Sequence, residues 1–213
     1  EAYARAEEAR WQLPGIGFEI GQRRRYHGPP RASHALGYVR EADDEDLRRL
    51  GPQGYRAGDR VGKTGVEKTY ETVLRGRPGR RFVLTNVHGV ETGPYRGGRD
   101  DVEPVEGHTL YLTIDADVQA LAESLLVRKR GGVVALDART GAVLALASAP
   151  DYDPAGFAGP LTPAFVDSTV RHPARPLFNR ATQMAQPPGS TWKPLMAVAA
   201  LEDRETFTRG MDG

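Results

Sequence analysis

The sequence predicts an α+β protein with two modules, residues 1–107 and residues 108–213. The composition changes after residue 107, from a glycine-rich, highly charged stretch to a more apolar one. Apolar residues at helical spacing over 118–126 then precede two apolar runs joined by the turn A-R-T-G at 138–141. The chain has 213 residues, of which 39% are hydrophobic, enough for one large domain or two small ones, each with a core. We therefore place a domain boundary near residue 107.

The first module is expected to be rich in β-structure. Residues 2–11 favour a short helix that a Pro-Gly pair ends, and residues 17–25 favour a strand. The acidic run at 43–46 is typical of a helix N-terminus, and that helix should end at Leu50 before a Gly-Pro pair. Glycine and charge over 54–101 indicate an extended β-rich segment with a strand at 81–87.

The second module is expected to combine a strand, a helix and a hairpin. Residues 109–114 alternate like a strand, and residues 118–126 favour a helix. The hairpin strands should run over 133–137 and 142–148. Because both hairpin strands are nearly all apolar, we expect their sheet to be covered on both faces. A last helix should run over 190–201 and bury its apolar side chains.

Composition excludes several classes of function. Lys and Arg number 29 against 28 Asp and Glu, and this balance gives no reason to expect a nucleic-acid partner. Without cysteine there is no disulfide, thiolate-zinc site or thiol catalysis, and the five histidines lack the paired spacing of a local metal site. No apolar run approaches the ~18 residues of a membrane span. The chain does not begin with Met and is expected to be a fragment.

The stretch around Ser190 is the most informative for chemistry. The sequence P-P-G at 187–189 delivers Ser190 to the start of a predicted helix, where the first N–H groups have no intrahelical partner and can stabilise negative charge. Lys193 shares a helix face with Ser190, with β-carbons roughly 5 to 6 Å apart. Burial would lower the pKa of the Lys193 amine, so that it can accept the serine proton. The pair predicts a nucleophile and its base.

Three short patterns in the chain also fit simpler roles. A serine helix cap followed by a solvated lysine is common, so S-x-x-K alone does not establish catalysis. A phosphate-binding loop before Thr64 would need a glycine where Ala57 stands. The basic run at 23–25 beside Tyr26 is too short for a convincing nucleic-acid surface, and a solvated face is commoner.

Ordered matches along the chain carry a family resemblance. In the first module they are GKTGVEKTYE (62–71) and LRGRPG (74–79). In the second they are LTID (112–115) with Gln119, VALDARTGAVLALAS (134–148), PDYDP (150–154), PLFNRA (176–181) and PPGSTWKP (187–194). With these residues the chain resembles the class B penicillin-binding proteins, most closely their elongation-type branch, the penicillin-binding proteins 2.

The resemblance implies a pedestal (dimerisation-type) domain at 1–107, followed by the N-terminal part of a serine beta-lactamase-like transpeptidase domain at 108–213. Such enzymes form an acyl-enzyme with peptidoglycan stem peptides, and beta-lactams acylate the same serine. Carried over by motif, Ser190 is the nucleophile, Lys193 is the proton acceptor, and the Ser190 N–H is an oxyanion donor. The family implies no cofactor and no metal.

The sequence departs from the complete family pattern. Neither S-x-N nor K-[ST]-G follows Lys193. The K-T-G at 63–65 precedes the serine, so we interpret it as a chance match and not as the family's K-[ST]-G motif. We therefore expect the chain to be inactive alone. The resemblance also implies a membrane glycosyltransferase and an elongation scaffold protein as pedestal partners, and a membrane anchor that places the protein on the periplasmic face of the bacterial inner membrane. The alternatives are a protein-binding module of the elongation complex, a beta-lactam sensor or a serine beta-lactamase; the pedestal pattern argues against the last two.

Overall fold

The computed structural model describes residue 5, residues 24–89 and residues 91–202. The chain divides into two compact units, residues 1–181 and residues 182–213. The helix predicted over 2–11 and the strand predicted over 17–25 fall almost entirely outside the described residues. Within the described ranges, no helix combines the length and apolar character needed to cross a membrane.

Short helices and strands alternate through the first module. In chain order they are α1 (Ser33–Leu36), β1 (Val39–Glu41), α2 (Asp44–Leu50), β2 (Arg60–Gly62), α3 (Gly65–Thr69), α4 (Glu71–Leu74), β3 (Val83–Thr85) and β4 (Glu91–Pro94). Strands β1 and β2 pair antiparallel, as do β3 and β4. Helices α3 and α4 lie within the segment 54–101 that we expected to be extended and β-rich, because glycine and charge content do not reveal such short helices.

Helix α2 begins where the acidic run predicts. Asp43 is its N-cap and accepts hydrogen bonds from the N–H groups of Glu45 and Asp46, while the Asp46 side chain accepts from the Asp43 N–H. This reciprocal capping satisfies N–H groups that have no intrahelical partner. Leu50, at the end of the helix, packs in a small core with Tyr55 and Val61. The predicted helix is confirmed.

The second module contains helix α5 (Ala116–Leu125) and the hairpin β5 (Gly131–Leu136) and β6 (Val143–Ala149). Asp115 caps α5 by accepting hydrogen bonds from two N–H groups of its first turn. The helix packs on one face of the hairpin, where Ala122 contacts Ala145 and Ala147. These small side chains allow close approach of helix and sheet. The predicted helix and hairpin are confirmed.

Two expectations for this module are wrong. Residues 109–114 form no strand, because the chain meets β6 through separate hydrogen bonds, Thr113 Oγ1 to the Val143 carbonyl at 2.7 Å and the Asp115 N–H to the Leu144 carbonyl at 2.9 Å, rather than through a ladder. Among the described residues, the hairpin is also covered on one face only. In β5, Val134 and Leu136 are 46% and 57% exposed, because α5 lies on the opposite face.

A connection with little regular structure follows β6. It contains a 3-10 turn (Pro154–Phe157), helix α6 (Pro163–Phe165) continued by a π turn (Val166–Val170), and helix α7 (Arg180–Gln183). In the second compact unit, a 3-10 turn (Gly189–Trp192) continues into helix α8 (Lys193–Glu202). The helix predicted over 190–201 is confirmed. Its expected burial is not, since residues 182–202 are exposed.

Candidate active site

Ser190 and Lys193 lie at the start of the last helix. Gly189, with φ +58°, turns the chain into the 3-10 turn that contains Ser190, and this left-handed conformation strains any side chain larger than hydrogen. The Thr191 hydroxyl donates to the Pro188 carbonyl at 2.6 Å, and the Lys193 N–H donates to the Ser190 carbonyl. The local sequence thus folds as its pattern predicts.

This arrangement places a hydroxyl and an amine, two groups that acyl transfer can use, at a helix start. Ser190 lies in the first turn, where backbone N–H groups point out of the helix and can stabilise an oxyanion. Lys193 follows one helical turn later, on the same side as the serine. Both side chains are exposed in the described structure, so the burial expected of Lys193 is not provided by residues 182–202. Among the described residues, the two side chains are not enclosed, and their roles as nucleophile and base stay a prediction.

The earlier K-T-G sequence has a structural role in the first module. Lys63 Nζ lies 2.8 Å from Asp43 Oδ2 and also forms an ion pair with Asp46. It therefore ties strand β2 to the capped end of α2. The Lys63 hydrogen bond lowers the pKa of Asp43 to about 2. Burial would raise the pKa of Asp46, but its hydrogen bonds with Lys63 and Arg49 outweigh that effect and lower it.

The two modules meet at a contact region within residues 24–181. The carboxylate of Glu123, on α5, accepts the N–H groups of Arg31 and Ala32 at 3.0 and 2.7 Å. The Tyr152 hydroxyl donates to the Ser33 carbonyl at 2.9 Å. Since Tyr152 lies in the PDYDP segment, that motif has a direct structural role in joining the modules. Its sequence alone did not reveal this contact.

His34 is a buried titratable group of this contact region. Its Nε2 lies 2.9 Å from the Pro176 carbonyl, which can only accept, so Nε2 carries the proton. The ring packs edge-on to Tyr152 at 5.1 Å. Burial lowers the pKa of His34, although the Pro176 carbonyl opposes this shift. A neutral His34 therefore links α1 to the segment that precedes α7.

A cavity of about 520 Å³ borders the same contact region. It lies between the first-module segment around Arg31, helix α5 near Glu123, and the end of β6 at Ala149 with the following Asp151. Its lining includes neither Ser190 nor Lys193. In the described ranges, no three His, Asp or Glu side chains cluster as a metal site would require.

Two protein families match the chain. The penicillin-binding protein dimerisation domain family matches residues 1–112, and the penicillin-binding protein transpeptidase domain family matches residues 131–208. Ser190 and Lys193 fall inside the second match. The boundary near residue 107 stays a prediction.

Similar proteins span much more sequence. Peptidoglycan D,D-transpeptidase MrdA of Escherichia coli K12 is 39% identical over 202 residues, which are 93% of this chain and 31% of that protein. The MrdA protein of Acinetobacter baumannii is 35% identical over 198 residues, 93% of this chain and 29% of that protein. The chain thus spans less than a third of the length of these relatives.

Solved structures agree with the fold. PBP2 in its complex with MreC from Helicobacter pylori matches with a TM-score of 0.72 and 30% identity, over 94% of this chain and 37% of that one. PBP2 of Pseudomonas aeruginosa in complex with WCK 5153 matches with a TM-score of 0.63 and 33% identity, over 79% of this chain and 33% of that one.

Proposed function

The chain belongs to the penicillin-binding proteins, and from this membership we propose that it carries the nucleophile of a serine D,D-transpeptidase that cross-links peptidoglycan stem peptides during cell elongation. The observation that carries the proposal is the placement of Ser190 and Lys193, one turn apart, at the start of α8. That helix lies within the residues matched by the transpeptidase family.

In the proposed reaction, Ser190 Oγ attacks the carbonyl carbon between the two D-Ala residues of a stem peptide. Lys193 accepts the hydroxyl proton, and backbone N–H groups at the helix start stabilise the oxyanion. The tetrahedral intermediate collapses, the terminal D-Ala leaves, and its amine takes up a proton. An amine of a neighbouring stem then attacks the Ser190 ester and restores the serine. A beta-lactam would acylate the same oxygen.

Residues 1–107 are proposed to be the pedestal on which partners dock. The first module exposes apolar side chains in and just after strand β3, including Leu84 and Val87. The similar Helicobacter pylori PBP2 forms a complex with MreC. We place a scaffold protein and a membrane glycosyltransferase as partners of this module, with the protein anchored at the periplasmic face of the inner membrane. If Val87→Glu abolishes partner binding while beta-lactam acylation is retained, the two roles are separate.

Penicillin labelling tests the nucleophile. In the product of the full reading frame, Ser190→Ala should abolish covalent labelling by a fluorescent penicillin. The matched control is Ser168→Ala, because Ser168 is an exposed serine whose hydroxyl donates to the Phe165 carbonyl. Labelling that persists in Ser190→Ala refutes the assignment.

The 213-residue chain alone is proposed to be inactive, because the side chains of Ser190 and Lys193 are exposed and the later family motifs are not in its sequence. The chain should not release D-Ala from a D-Ala-D-Ala peptide. Measurable turnover by the chain would refute this expectation. Release of hydrolysed beta-lactam by the full reading-frame product would instead favour a beta-lactamase.

A further inference from the structure

One carboxylate of the second module binds the backbone of the first. Glu123 Oε2 accepts the Arg31 N–H at 3.0 Å, and its Oε1 accepts the Ala32 N–H at 2.7 Å. These two N–H groups are consecutive, and Ala32 has the left-handed conformation, with φ +46° and ψ +33°. Successive N–H groups beside a left-handed residue form a concave arrangement that suits an anion, and here it holds the Glu123 carboxylate. Such charge-assisted hydrogen bonds are stronger than neutral ones.

The surroundings of Ala32 hold it in a strained conformation. Glycine adopts the left-handed region freely, whereas for alanine the right-handed region is favoured by about tenfold. Ala32 is 3% exposed, so its methyl group is packed. Within the first module, Gly65 approaches α1 so closely that a β-carbon would lie 2.6 Å from the Ala35 carbonyl oxygen. Helix α1 and the residues before it therefore lie between Gly65 and Glu123, and release of the carboxylate would let Ala32 relax.

The same carboxylate is joined to strand β6 by a buried glutamine. Glu123 Oε1 also accepts Gln119 Nε2 at 3.0 Å, and Gln119 Oε1 accepts the Leu146 N–H at 2.8 Å. Gln119 is fully buried, so its amide is shielded from water, and hydrogen bonds in a series strengthen one another in such surroundings. An unbroken series of hydrogen bonds thus runs from the backbone of Ala32 to that of Leu146.

We propose that Glu123 and Gln119 form a conformational relay, through which a displacement of α1 in the first module weakens the hydrogen bonding of β6 at Leu146. The reason is that Glu123 Oε1 is shared. When Ala32 relaxes and its N–H turns away, this oxygen and the Gln119 amide are free to shift together, away from Leu146. Linkage requires the reverse effect as well, from β6 to Ala32. The relay lies wholly within residues 24–181 and is independent of the proposed function.

Hydrogen–deuterium exchange resolved to single amides, on the full reading-frame product, tests the relay. The exchange rate of the Leu146 N–H is divided by that of Ala145, which pairs with Ala135 inside the hairpin, so that general unfolding cancels from the ratio. Gly65→Ala displaces α1, because the added β-carbon meets the helix backbone. Gly51→Ala is the matched control, since a β-carbon there meets nothing within 4 Å and φ is −51°.

We expect Gly65→Ala to raise the Leu146 ratio by about fivefold, the worth of one hydrogen bond, and Gly51→Ala to leave it unchanged. In a Glu123→Gln background the relay is already broken, so Gly65→Ala should then change the ratio by less than about twofold. A ratio that does not respond to Gly65→Ala overturns the proposal. An equal response with and without Glu123→Gln also overturns it, because the displacement then travels by another route.

If Gly65→Ala does not fold, the reverse direction decides. Gln119→Ala removes the amide that joins Glu123 to β6. The exchange of the Ala32 N–H should then rise by about fivefold relative to that of the Lys63 N–H, which donates to the Tyr38 carbonyl inside the first module. Gln53→Ala is the control, because Gln53 is exposed. An Ala32 ratio equal to that of the wild type overturns the proposal.

Discussion

Replacing Gln119 with leucine should destabilise the chain strongly. Gln119 is fully buried in α5, and its side-chain amide completes the hydrogen bonding of β6. Its Oε1 accepts the Leu146 N–H at 2.8 Å, and its Nε2 donates to the Leu146 carbonyl at 3.1 Å and to Glu123 Oε1 at 3.0 Å. The glutamine therefore takes the place of a neighbouring strand at this residue.

The size of the effect follows from these contacts. Gln119→Leu leaves the N–H and carbonyl of the half-buried Leu146 without the glutamine partner, at about 2 kcal/mol for each of the two groups. Greater apolar burial by leucine offsets about 1–2 kcal/mol of this loss. We expect a net decrease of about 2–3 kcal/mol in the free energy of unfolding. For a chain of this size, that corresponds to a fall of about 5–10 °C in Tm.

Urea unfolding followed by far-ultraviolet circular dichroism measures this change. Gln53→Leu is the matched control, because Gln53 is exposed in the 3-10 turn after α2 and its replacement should stay within about 0.5 kcal/mol of wild type. A free energy of unfolding for Gln119→Leu within about 0.5 kcal/mol of wild type would refute the role given to the buried amide.

Two further predictions concern the first module and its contact with the second. Tyr152→Phe removes the hydrogen bond to the Ser33 carbonyl and should lower the free energy of unfolding by about 1 kcal/mol, whereas Tyr111→Phe, at a side chain 94% exposed, should not change it. The pKa of Asp43 is lowered from 3.8 to about 2 by Lys63, so its contribution to stability is present above pH 3.8 and is lost as the pH falls toward 2. Asp43→Asn should flatten the dependence of the urea midpoint on pH in that window, and an unchanged dependence would contradict the assigned cause.

Expectations that depend on neighbouring residues agree with the structure. Acidic side chains near Asp43 cap α2 because cap and N–H groups lie within one turn of each other. The apolar runs of the hairpin pair because their connection is short. The turn at Gly189 and the start of α8 likewise follow from adjacent residues. Ser190 and Lys193 lie one helical turn apart because the residues around them form this turn and helix start. Their catalytic roles are a proposal.

Expectations that depend on distant residues fail or are incomplete. Residues 109–114 alternate like a strand, yet they form no ladder with β6, since pairing depends on a partner elsewhere in the chain. The apolar character of β5 predicts burial, yet Val134 is exposed because α5 covers only the other face. Periodicity shows what a segment can bury and does not show what lies against it.

The sequence by itself determined the family, the capped helices, the hairpin and the serine-lysine pair, because each of these depends on adjacent residues or on the order of motifs along the chain. Only the tertiary structure decided that the Gln119 amide bonds the backbone of Leu146. It also decided that the Arg180 N–H donates to Ser148 Oγ and that Gly132 closely approaches the backbone at Arg180 and Ala181. Those residues are separated along the chain and meet only when helix, hairpin and loop are packed. Hydrogen bonds and close approach between them are properties of the folded arrangement, which no local pattern contains.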